Sequence, residues 1–160
     1  MSRQIVTKFA ANFERTHDFY LQFIDQCPDG LWEKKFGDWP LWQHIVHVYA
    51  CIDYFVLQEG QQPTPYPCKA DNILAFKFDA GARVDKTAMR SYVLTMKAKA
   101  DAYINSLTDA TLGEKNVGFT ARKKEDRTHA LTMSLLTGHA YYHFGTLDTA
   151  LREHGFKGIY

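Results

Sequence analysis

"LLTGHAYYHFGTLDTALREHG", residues 135–155, decides how this chain is read. Leu135, Leu136, Leu147 and Leu151 recur at helical spacing, with His139 and His143 four positions apart between them. Side chains four apart on a helix share a face and are separated by about 6 Å along the axis. The leucines flank that same side, so the stretch predicts a long helix whose histidines face a helical core. A pair in this register can chelate one ion. Seven histidines in 160 residues also produce the spacing by accident, so the pair needs support from elsewhere in the chain.

Outward from this stretch, the helix is expected to begin near Asp126 or Thr128 and to run to about Glu153. Gly155 and Phe156 suit a helix end closed by a hydrophobic contact. A second strong signal is "PLWQHIVHVYACIDYF" (40–55), with Leu41, Ile45, Val48, Ile52 and Phe55 on one side. Pro40 fits a first turn with Asp38 or Trp39 as cap, and this helix is expected to reach about Gln58, with Gly60 as a left-handed terminator. A first helix is read over about 5–26 from Ile5, Phe9, Phe13, Tyr20 and Ile24, ended by the turn chemistry of "CPDGLW". A third is read over about 85–107, where Met89, Val93, Met96, Ala100, Tyr103 and Leu107 step by fours and threes. Between the second and third lies "GQQPTPYPCKADNILAFKFDAGAR" (60–83), read as a mostly irregular crossover. "TDATLGEKNVGFTARKKEDRT" (108–128) is read as a loop, with "KNVGFTARKK" extended or in a short hairpin. The expectation is one all-α domain over residues 1–160, an up-down-down-up type four-helix bundle with a long crossover connection.

Composition narrows the partners. Nineteen Lys and Arg against eighteen Asp and Glu give a formal charge of +1, which supplies no field for nucleic acid or anionic lipid. No window has the length and apolarity of a membrane span, and the first residues lack a signal-peptide core. Cys27, Cys51 and Cys68 are an odd count without a C-x-x-C pair, so a disulfide framework and a thiolate zinc knuckle are not expected. The expectation is a cytoplasmic protein with reduced cysteines, and neither nucleic acid nor membrane as partner.

The second helix adds His44 and His47. His47 sits beside Val48 and Cys51 near the buried seam, with His44 a turn earlier. One imidazole from this helix with His139 and His143 would make three protein ligands, the number that leaves a catalytic zinc a free position. The competing reading is four core histidines bonded to carbonyls or to the hydroxyls of Tyr49, Tyr54, Tyr141 and Tyr142. His17, His129 and His154 are expected to be exposed or capping. Trp32, Trp39, Trp42, Tyr141 and Tyr142 are read as packing residues before pocket residues.

Taken together, "PLWQHIVHVYACIDYF" and "GHAYYHFGTLDTALREHG" resemble the DinB/YfiT superfamily of four-helix-bundle metalloenzymes. Trp42 lies five positions before His47, and His139, His143 and Gly145 match the later motif. The resemblance implies that His47, His139 and His143 bind a divalent metal ion, zinc or nickel first, with iron, cobalt and manganese also accepted. His44 remains the alternative on the second helix, and Cys51 is either a thiolate ligand or a small buried filler. The resemblance also implies a thiol-dependent S-transferase or isomerase acting on a small-molecule substrate, with a low-molecular-weight thiol activated at the metal, and a homodimer. Two alternatives stay open. A metal-dependent hydrolase would need a general base, for which only Asp53 and Asp148 offer themselves, and a non-catalytic metal-binding bundle would need a closed ligand set.

Overall fold

The computed structural model describes residues 1–160. Its elements in chain order are α1 (Gln4–Gln26), α2 (Asp29–Trp32), β1 (Lys35–Phe36), β2 (Trp39–Pro40), α3 (Leu41–Val56), β3 (Ala70–Asn72), β4 (Lys77–Phe78), α4 (Lys86–Ser106), α5 (Val117–Lys123) and α6 (His129–Glu153). Single 3₁₀ turns occupy Ile73–Ala75 and Asp109–Gly113. The chain is mainly helical, and no helix is long and apolar enough to cross a membrane.

The four long helices are those that periodicity predicts, and each packs against two others. α1 lies against α4 and α6, and α3 lies against the same two. The six periodic residues from Met89 in α4 to Leu107 at its C-terminal cap are all buried. Starts follow side-chain chemistry. Asp85 accepts from Ala88 N at the head of α4, and Thr128 accepts from Leu131 N at the head of α6. α6 ends as expected, with Gly155 at φ 80° and Phe156 N–H donating to Leu151 O.

Register is set by contacts between helices. Arg3, just before α1, donates to the carbonyls of Ile104 and Leu107 at the end of α4, while Asp25 at the far end of α1 pairs with Arg90 near the start of α4. Going up α3, His44 meets His143, His47 meets His139, and the Phe55 carbonyl shares Asn116 with Thr132, so partners on α6 descend as those on α3 ascend.

The connections depart from expectation in four places. The stretch ahead of α3 is a two-stranded hairpin, Lys35 opposite Pro40 around Gly37 at φ 69°, so neither Asp38 nor Trp39 caps and Pro40 itself stands at the cap without a side-chain bond. α3 stops at Val56 because Leu57 turns extended, and Gly60 at φ 79° serves a turn beyond it. The "KNVGFTARKK" segment is neither extended nor a hairpin. Asn116 accepts from Phe119 N and Lys124 closes the far end in the left-handed region, which makes a helix of seven residues. Its Gly118 lies so close to the Leu57 carbonyl that a Cβ would overlap it. Finally, the crossover folds into β3 and β4 around the 3₁₀ turn, and that turn packs on α3 with Ile73 buried.

Candidate metal centre

Four histidines and one cysteine converge between α3 and α6. His44, His47 and Cys51 follow one another at three and four residues, so one face of α3 presents all of them. His139 and His143 do the same on α6. His47 Nε2 lies 3.3 Å from His139 Nε2, and His44 Nδ1 lies 3.2 Å from His143 Nδ1. The His143 ring stands 4.8 Å from that of His47 and 4.7 Å from that of His139, centroid to centroid. His44, His47, His143 and Cys51 are buried and His139 is half-buried.

The crossover completes the site. The Ile73 carbonyl accepts from His47 Nδ1 at 3.0 Å, which fixes the tautomer and leaves Nε2 with a free lone pair. Metal-bound histidines are held by such a bond through their second nitrogen. Phe76 stacks on the His47 ring at 4.0 Å, stands edge-on to His44 and stacks on Trp39. Its own backbone sits at φ 55°, a left-handed conformation that is costly for a bulky residue. Both residues lie in the segment read from sequence as an irregular link. The apolar run Ile73–Phe76 was the only visible sign of their role.

Burial governs the protonation of the cluster. It pulls His44 and His47 below the ordinary imidazole range, His139 to about 4 and His143 to about 3. Neighbouring histidines push the last two further in the same direction. All four rings are therefore neutral at pH 7, each with one N–H and one nitrogen lone pair that a cation could accept. Burial also pushes the Cys51 thiol up to about 12. The Phe36 backbone favours a protonated His44, yet His44 Nε2 has no partner within hydrogen-bonding geometry and is buried.

These residues fit a metal ion. For tetrahedral zinc with Zn–N near 2.05 Å, two nitrogen ligands stand about 3.3 Å apart, the spacing found between His47 and His139. The three residues whose donor atoms lie within 4.8 Å of one another are His47, Cys51 and His139, and this His/Cys/His cluster could hold a metal ion. His143 touches both histidine rings but turns its Nδ1 to His44.

Other expectations resolve differently. His17 is buried, with Nδ1 at 2.8 Å from Tyr49 Oη, and is neither exposed nor a cap. His154 Nδ1 does reach a helix carbonyl, Ala150 O, and His129 Nδ1 pairs with Tyr103 Oη. Of the four tyrosines considered as histidine partners, Tyr49 serves His17 and none hydrogen-bonds to the cluster. Asp53 is committed to Lys99 and the Thr64 N–H, and Asp148 to Arg152 and the N–H groups of Ile159 and Tyr160. Neither carboxylate is bonded to a cluster histidine. A cavity of about 300 Å³ is lined by Asp53, Lys99, Tyr103 and Ser106 among others, but by no histidine, so the largest chemistry-bearing cluster and this concavity are separate features.

Comparison with curated proteins and with solved structures gives no match. The DinB superfamily model matches residues 12–147, a span that begins inside α1 and includes α3, α4 and every residue of the cluster. With this match over most of its length, the chain belongs to the DinB superfamily.

Proposed function

We propose that this chain is a divalent-metal-dependent enzyme on an up-down-down-up four-helix bundle, in which His47, His139 and His143 hold the ion. The observation that carries this reading is the 3.3 Å approach of His47 Nε2 to His139 Nε2 among rings kept neutral by burial. The bundle direction is supported by Arg3 with Leu107 and Asp25 with Arg90 between α1 and α4, and by His44 with His143 and His47 with His139 between α3 and α6. His143 joins the set by a side-chain rotation away from His44, its ring already lying beside both others. Zinc and nickel suit this donor set first, followed by iron, cobalt and manganese.

When bound, such an ion lowers the pKa of a coordinated thiol or water and offers a position to a small molecule. The chain's own residues prepare that position. Ile73 O orients His47 and Phe76 shields it from water, while His44 engages His143 Nδ1 until that ring turns to the ion. The reaction class we assign is S-transfer or isomerisation with a low-molecular-weight thiol and an electrophilic small molecule. Hydrolysis ranks lower because Asp53 and Asp148 are engaged elsewhere. A purely structural ion is the second reading, favoured by the nearness of Cys51 as a further donor. Three free cysteines suit a cytoplasmic setting, and we assign a homodimer as the working assembly.

Metal analysis tests the reading. Near-stoichiometric metal is expected in the wild type and in His44→Ala, and loss is expected in His47→Ala, His139→Ala and His143→Ala. A wild type that stays metal-free after reconstitution removes the metal reading. Loaded protein that consumes none of several thiols with a general electrophile removes the transferase.

A further inference from the structure

His47 Nε2 has a second close neighbour besides His139. Cys51 Sγ lies 3.7 Å from it, one helical turn further along α3. A sulfur and a nitrogen ligand on one tetrahedral zinc, at Zn–S near 2.3 Å and Zn–N near 2.05 Å, stand about 3.6 Å apart. Two edges of a tetrahedron are thus present at once, nitrogen to nitrogen at 3.3 Å and sulfur to nitrogen at 3.7 Å, and both meet at His47. The three donor atoms close within 4.8 Å. The thiol has no hydrogen-bond partner apart from His47. Cys27 and Cys68 make no comparable approach to a histidine, so sulfur enters the cluster only from α3.

We infer that Cys51 is a direct ligand of the ion, and that its sulfur holds the position a substrate thiol takes. The inference rests on the metal reading above and deepens it by naming the substrate's ligating atom. On coordination the S–H bond of Cys51 breaks, a sulfur–metal bond forms and the proton leaves to solvent. When an external thiol displaces Cys51, the incoming S–H proton ends on the released cysteine sulfur, so the exchange moves no net charge. A position shaped for one sulfur discriminates for another, because soft thiolate is preferred there over water or carboxylate. Cys51 would then act as a resident stand-in that keeps water from the ion until a thiol arrives.

Cobalt(II) loading tests this without reference to activity. The wild type loaded with cobalt and no added thiol is expected to show a near-ultraviolet sulfur-to-cobalt charge-transfer band. Cys51→Ala is expected to bind cobalt at least about tenfold more weakly and to lack the band, whereas Cys68→Ala keeps it. Excess 2-mercaptoethanol is expected to restore the band in cobalt-loaded Cys51→Ala. A cobalt-loaded wild type without the band, or a band that persists in Cys51→Ala, overturns the assignment of Cys51 while leaving the histidine reading intact. Failure of 2-mercaptoethanol to restore the band overturns the shared position. Absence of cobalt uptake by the wild type removes the histidine reading as well. If Cys51→Ala does not fold, Cys51→Ser serves in its place, read by the same charge-transfer band.

Discussion

Replacing Phe76 by glycine and by alanine separates the backbone of the site from its ring. Phe76 is the only bulky apolar residue with positive φ, at 55°, and its half-buried ring is stacked on His47. A left-handed conformation costs a residue bearing a Cβ roughly 1–2 kcal/mol, and glycine nothing. Truncating a fully buried phenylalanine costs about 3–5 kcal/mol, so about 2 kcal/mol is expected for a half-buried one. Phe76→Ala loses the ring and keeps the backbone penalty. Phe76→Gly loses the ring and sheds the penalty, which offsets about 1 kcal/mol of the loss. The expected order of stability is therefore Phe, then Gly, then Ala, the reverse of the usual preference for alanine over glycine. Urea unfolding of the metal-free protein reads the order from midpoints at constant slope. Both variants uncover His47, so their cobalt affinities should fall by a similar factor, about tenfold. An alanine variant as stable as the glycine variant refutes the claim that the 3₁₀ turn holds Phe76 in the left-handed region against a cost.

Gly118→Ala is expected to lose about 1–3 kcal/mol, because the new Cβ overlaps the Leu57 carbonyl and α5 must shift off the end of α3. Circular dichroism should show Tm falling by roughly 3–10 °C, and an unchanged Tm would contradict that packing. Asn116→Leu strands the Phe55 carbonyl, takes one of their hydrogen bonds from Tyr103 Oη and Thr132 Oγ1, which keep His129 Nδ1 and Thr128 O, and removes the α5 cap, for a loss of about 2–3 kcal/mol; a near-neutral result in urea unfolding would show that water replaces the amide. His17 is pulled to about 4 by burial, with Lys97 adding to it. Between that value and its unfolded 6.5 the unfolded chain binds more protons. Its contribution is then whole above pH 6.5 and lost as pH falls towards 4, in total about 3 kcal/mol. The gap in stability between the wild type and His17→Gln should narrow across that interval, and a gap independent of pH would show that His17 is already protonated in the fold.

The long helices were legible because their evidence is repetitive. Met89 through Leu107 offers six positions in phase, and all six are buried. α5 left no such trace: over Val117–Lys123 it has two large apolar residues, and it forms because Asn116 caps it and Gly118 meets α3. His17 was misread because a lone histidine on a mixed helix has no period, and only the fold brings Tyr49 to it. In the site, the α6 pair and its face were readable from spacing, as was the position of Cys51 one turn after His47. Which of these side chains would meet was not. That outcome depends on Ile73 O, supplied from 26 residues away in sequence by a loop with no regular pattern, and on the His44 Nδ1 contact that engages His143.

The cluster itself is costly to the fold. Four imidazoles are packed where leucine or phenylalanine would gain full burial, all with depressed basicity, and His44 Nε2 has no partner at all. An unsatisfied buried group of this kind costs about 1–3 kcal/mol. Two other buried side-chain atoms lack a partner, Tyr92 Oη and Arg127 Nε, each standing alone, while Asn116 bonds through both ends of its amide and Asp53 takes Lys99 and Thr64. The contrast argues that the imidazoles are not retained for stability. A cation accepted by neutral nitrogen lone pairs would reverse the sign of that local cost. Metal loading should then raise Tm by an amount that His47→Ala abolishes and His17→Gln does not, since His17 lies in the same core with its hydrogen bond made to Tyr49.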